Sequence, residues 1–144
     1  MPKIAYMKKV FFYLIISVLI IACNSREDYI QNVYVNEHID LSLPEYSDLA
    51  VSGSAIFVKG GVEGIIIYHG VGDDYKVYDR NCSYEPSLSC SVIDSVNSGI
   101  AYCGCCTSAF LISNSGESIN APALLPLKNY NWSLNNSHVM YIHN

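Results

Sequence analysis

The chain has 144 residues, 51% of them hydrophobic, and a formal net charge of −5. All 13 acids lie beyond Cys23 while three of the eight basic residues precede it, so residues 24–144 carry −8. That length supports one domain with a modest core rather than two, and the acidic balance argues against nucleic acid or phosphate-rich partners.

The N-terminal stretch reads Met7-Lys8-Lys9, then an apolar run from Val10 to Ala22, then Cys23. A charged start, an apolar centre and a small residue before the cysteine are the grammar of a secretory signal. The run has 13 residues, short of the about 20 that a spanning helix needs. Ile20-Ile21-Ala22-Cys23 resembles a bacterial lipobox, in which Cys23 becomes the lipidated first residue of the mature protein. Asn24-Ser25-Arg26-Glu27-Asp28 resembles the acidic export tag of some surface-exposed Bacteroidetes lipoproteins, and reads equally as a solvated tether. The expected organisation is a signal peptide and lipobox over 1–23, a polar tether over 24–32 and a folded domain over 33–144. It places the protein in a bacterial cell envelope, held to the membrane through Cys23, with the outer membrane or cell surface favoured over the inner membrane. Such a location permits disulfides.

Beyond the tether, short apolar or alternating runs rich in Val, Ile and Tyr are separated by Gly, Asn, Asp, Ser and Pro. This is the pattern of an all-β domain. It predicts strands near 34–41, 55–58, 64–69, 75–78, 100–102, 109–113, 130–133 and 139–143. Lys59-Gly60-Gly61, Gly70-Val71-Gly72-Asp73-Asp74 and Asn114-Ser115-Gly116 supply turn chemistry between them. Pro122 and Pro126 bracket an extended loop before the last two strands. The expected fold class is a small antiparallel β-sandwich with two cysteine-bearing loops.

Five of the six cysteines fall within residues 82–106. One segment runs from Arg80 through Cys82-Ser83-Tyr84 to Cys90, and the other is Cys103-Gly104-Cys105-Cys106-Thr107-Ser108-Ala109-Phe110. Two such loops flanking a short strand-rich stretch suit a metal or iron–sulfur site, whose ligands must converge on one centre. They suit a pair of disulfide-stapled loops equally well.

From Ala55 to the C-terminus the chain resembles a Rieske domain. In that family one loop carries Cys-x-His and a second Cys-x-x-His, two cysteines binding one iron of a [2Fe–2S] cluster and two histidines the other. Here 64–68 and 75–78 lead through Asp79-Arg80-Asn81 into Cys82-Ser83-Tyr84, and Cys103 to Phe110 resembles Cys-Pro-x-His-Gly-Ser-x-Phe. Ala121-Pro122-Ala123-Leu124-Leu125-Pro126-Leu127-Lys128-Asn129-Tyr130 resembles the Gly-Pro-Ala…Pro-Leu-x-x-Tyr segment that closes over the cluster. The resemblance implies a cofactor site of Cys82, Tyr84, Cys103, Cys106 and Ser108, with Cys82, Cys103 and Cys106 as metal ligands and Ser108 as a hydrogen-bond donor. It also implies a disulfide between Cys90 and Cys105, tying the two loops together.

The family's first histidine falls on Tyr84 and its second on Cys106. Imidazole ligation gives Rieske centres their high potential and couples electrons to protons, and neither position keeps it. Tyr84 is a candidate fourth ligand, although a loop tyrosine is more often a packed ring. Three thiols would also serve Zn²⁺. His38, His69, His138 and His143 fall on strands or termini and read as ordinary surface histidines. Two functions follow: an iron–sulfur electron carrier or metal binder serving an unidentified redox or protein partner, or a cofactor-free, disulfide-stapled scaffold acting as a structural or interaction module. Thiol exchange is a lesser alternative, because no helix N-terminus adjoins the thiols and Arg80 is the one basic residue near either loop. No catalytic constellation is present, so the chain does not read as an enzyme.

Overall fold

A computed structural model describes residues 29–144; the expected signal, lipobox and Cys23 lie outside them. In chain order the elements are β1 (Asn36–Asp40), a 3-10 helix (Pro44–Ala50), β2 (Ala55–Val58), β3 (Ile65–His69), β4 (Tyr75–Asp79) and β5 (Ile93–Asn97). Then follow β6 (Ile100–Cys103), β7 (Ala109–Leu111), β8 (Glu117–Asn120), β9 (Asn131–Leu134) and β10 (Val139–His143). They form three antiparallel sheets, ordered β1-β10-β9, β2-β3-β4 and β5-β6-β7-β8. The all-β antiparallel expectation holds.

The sheet β2-β3-β4 is central and covered on both faces, which explains why all five residues of β3 are buried. Side chains alternate along a strand. Ile65 and Ile67 therefore enter one core with Val77, Met140 and Ile142, and Ile66 and Tyr68 enter the other with Phe110 and Ile112. The first core seals the sheet to β1-β10-β9. The second seals it to the four-stranded sheet, and Cys82 and Cys103 belong to it. Burying each such isoleucine contributes about 1.5–3 kcal/mol.

Two strands and the 3-10 helix lie where no element is expected. β5 carries a register irregularity between Ile93 and Ser95, which breaks its period-two pattern. β8 is an edge strand with no buried residue. The 3-10 helix buries only Leu49. His69 also departs from its expected surface position: it is buried, stacks on Tyr75 with centroids 4.6 Å apart, and its Nε2 lies 2.6 Å from the Gly72 carbonyl oxygen.

The N-terminal residues described are packed down. Ile30 is buried, and Lys128 Nζ donates to Gln31 O at 2.7 Å and Asn32 Oδ1 at 3.1 Å. A buried carboxylate organises the approach to the first cysteine loop. Asp79 accepts N–H groups from Val62 (2.7 Å) and Asn81 (2.7 Å) and the hydroxyl of Tyr130 at 2.5 Å.

Candidate metal centre

The first cysteine loop leaves β4 and the second leaves β6, and the backbone between them sews the two together. Cys82 N donates to Ser91 O at 2.8 Å, closing the first loop on itself, and Gly104 N donates to Val92 O at 2.9 Å, tying the second loop to the end of the first. A Cβ at Gly104 would stand 3.0 Å from Oδ2 of the exposed Asp94 side chain. A third loop, residues 121–125, closes the site. Ser83 Oγ donates to Leu125 O (2.6 Å), Thr107 Oγ1 to Ala121 O (2.8 Å) and Ala123 N to Ser108 Oγ (2.9 Å). Ser83 and Thr107 carry no mark in the sequence, because polar loop residues of this kind are common and only their partners set them apart.

Cys90 and Cys105 are joined in a disulfide, with Cα atoms 5.2 Å apart. Cys82, Cys103 and Cys106 are free thiols whose Sγ atoms all lie within 4.8 Å of one another. Cys82 and Cys103 are buried and Cys106 is half-buried. None of the four histidines joins this group. Arg80 is committed elsewhere: its Nε donates to Ile93 O at 2.7 Å and its guanidinium lies 4.2 Å from the Phe57 ring centroid.

Burial pushes the Cys82 and Cys103 thiols up from their ordinary pKa. Burial acts the same way on Cys106, but hydrogen bonding from the Ser108 hydroxyl and amide, and from Cys103 and Cys82, outweighs it and holds Cys106 below the usual range. Cys106 Sγ and Ser108 Oγ are 3.2 Å apart. That oxygen accepts the Ala123 amide and the Cys106 S–H, and once Cys106 ionises the Ser108 hydroxyl can donate to the sulfur in return.

A [2Fe–2S] cluster takes two protein ligands on each of two irons. Three thiols fall one short of that set, and with all three Sγ atoms within 4.8 Å of one another they can converge on a single ion. With metal–sulfur bonds of about 2.3 Å, thiolates on one tetrahedral ion sit about 3.8 Å apart. Tyr84, the candidate fourth ligand, packs against the same core and lines an apolar cleft outside the thiols. Its phenol makes no hydrogen bond among the described residues. The residues present thus fit one thiophilic ion and do not fit the two-iron cluster.

The three sheets and paired cysteine loops define a Rieske-like domain. No family model and no curated protein matches the sequence. Among solved structures, the chain is similar to one from a complex of reduced oxygenase and oxidized ferredoxin in carbazole 1,9a-dioxygenase. The TM-score is 0.50 at 14% identity, over 78% of this chain and 94% of that chain. The ferredoxin of carbazole 1,9a-dioxygenase from Nocardioides aromaticivorans gives a TM-score of 0.46 at 15% identity, over 77% and 97% of the two chains. A Sphingomonas yanoikuyae ferredoxin gives 0.47 at 16%, over 67% and 93%. At these identities the likeness is one of fold.

Proposed function

We propose that this domain is a metal-binding module of electron-carrier type in a bacterial cell envelope, anchored by lipid on Cys23. In it Cys82, Cys103 and Cys106 hold one thiophilic ion. The convergence of three free thiols within 4.8 Å, two of them buried, carries the reading. The ferredoxins it resembles in fold lend support to the carrier role. Soft thiolates select zinc, copper(I) or iron; of these, iron or copper would let the domain pass single electrons, and zinc would make it structural. Residues 24–32 form the tether that leads to the domain over 33–144, and the partner is a redox protein or another envelope protein.

The same thiols support a second reading. In an oxidising envelope Cys82 could pair with Cys103 or Cys106 and leave a cofactor-free scaffold. A metal and acid-labile sulfide assay, with a visible spectrum, on mature protein prepared anaerobically separates these. One metal ion per chain without sulfide supports the proposal. Two irons with two sulfides would restore the family's cluster, and metal-free protein with a second disulfide would establish the scaffold.

A further inference from the structure

The geometry points to a membrane-facing end: the apolar cleft beside the thiols, between the first cysteine loop and the third loop, is a contact surface for the lipid bilayer itself. The cleft holds about 400 Å³ and is walled by Tyr84, Leu88, Pro122, Leu124 and Leu125, with Glu85 the sole charge among its lining residues. Leu124 is 77% exposed and Leu88 46%, on a chain whose residues 24–144 carry −8. The two leucines share one low-charge wall of the cleft on this acidic protein.

What covers it follows from where the chain enters. Tyr29 lines a small neighbouring cleft with Asn81, Pro86 and Ser87, and Ser87 also lines the apolar cleft. The described chain therefore starts beside the first cysteine loop. This step rests on the reading that Cys23 is lipidated. Residues 24–28 separate Cys23 from Tyr29, and at 3.3–3.6 Å per residue that spacing cannot exceed about 20 Å. A domain of this size is about 35 Å across, from a radius of gyration of about 13 Å. A tether shorter than the domain keeps the end it joins against the membrane and the opposite end away from it. Leu88 and Leu124 then sit at the headgroup boundary, with Tyr84 and the half-exposed Tyr29 suited to the same depth. The candidate metal centre is thereby presented to the membrane plane rather than to the bulk phase.

Amide hydrogen exchange on the cell-derived protein tests this. The lipidated chain is reconstituted into vesicles of phosphatidylethanolamine and phosphatidylglycerol and compared with the Cys23→Ser protein in solution. Residues 83–89 and 121–125 should exchange roughly ten-fold more slowly on vesicles, with the β3 and β4 amides unchanged. Leu88→Glu with Leu124→Glu, both at exposed positions, should abolish that slowing while leaving the sheet amides as they were. Equal loop exchange in both states, with lipid confirmed on Cys23 by mass, overturns the inference and leaves the anchor standing. Slowing in native membranes but not in protein-free vesicles overturns it in favour of a protein partner. A Cys23 without lipid, with Cys23→Ser still membrane-bound, removes the anchor and this inference together.

Discussion

Ser108 Oγ accepts the Ala123 amide at 2.9 Å and touches Cys106 Sγ at 3.2 Å. Ser108→Ala leaves a buried N–H without its partner, which costs about 1–3 kcal/mol, and removes one hydrogen bond from the thiol that ionises most readily. Equilibrium denaturation should show the loss of stability, and metal competition with a chelator should show weaker retention. Cys103→Ser goes further: it leaves two thiols and should abolish stoichiometric metal. Tyr78 tests a different residue-level balance. Burial, and then the Asp74 and Glu117 carboxylates, push its phenol up to about 12, from about 10 in the unfolded chain. A group raised in the folded state contributes stability that is whole below pH 10 and lost as pH rises through about 12. Burial likewise raises Tyr29, Tyr75 and Tyr130, so alkaline titration should destabilise the domain in this window. Tyr78→Phe should flatten that decline in part. At neutral pH it should cost about 1 kcal/mol, through the hydrogen bond its hydroxyl shares between Ile112 O (3.2 Å) and Asn114 O (3.0 Å).

At the scale of elements, the Cys90–Cys105 bridge spans 15 residues. Closing a loop of that length stabilises by about 3 kcal/mol. Cys90→Ser with Cys105→Ser should lower the denaturation midpoint accordingly while the three remaining thiols keep their metal. Loss of metal in that variant would show that the bridge also shapes the site. The turn before β8 offers a second test. Gly116 has φ +71°, and a Cβ there would stand 2.6 Å from Tyr78 Cε1, so Gly116→Ala should destabilise by more than 1 kcal/mol. Strands built from continuous Ile, Val and Tyr, such as β3 and β4, were legible in the sequence because their burial is intrinsic to composition. β5 and β8 were not: an irregular register hides one, and the other pairs by backbone with no buried side chain. The site divided the same way. The three thiols stood out by residue type, whereas Ser83 and Thr107 acquire meaning only when the third loop folds against them. That Cys106 reaches the other two sulfurs also needed geometry, since spacing along the chain does not say so.

The whole molecule is two cores on opposite faces of one sheet, and only one of them holds the thiols. Ile66 and Ile67 are neighbours in β3, both fully buried, facing different cores. Either one changed to Ala should cost about 2–5 kcal/mol. Ile66→Ala should also weaken metal retention in protein that remains folded, and Ile67→Ala should not. Equal effects on metal would mean that the two cores are mechanically one. A Rieske-like scaffold that presents three thiolates to a single ion has a direct spectroscopic signature. X-ray absorption at the metal edge of anaerobically prepared mature protein tests it most directly. The expected spectrum has a first shell with three sulfurs at about 2.3 Å and no second metal. A metal neighbour in the spectrum, or a first shell of nitrogen and oxygen alone, would contradict it.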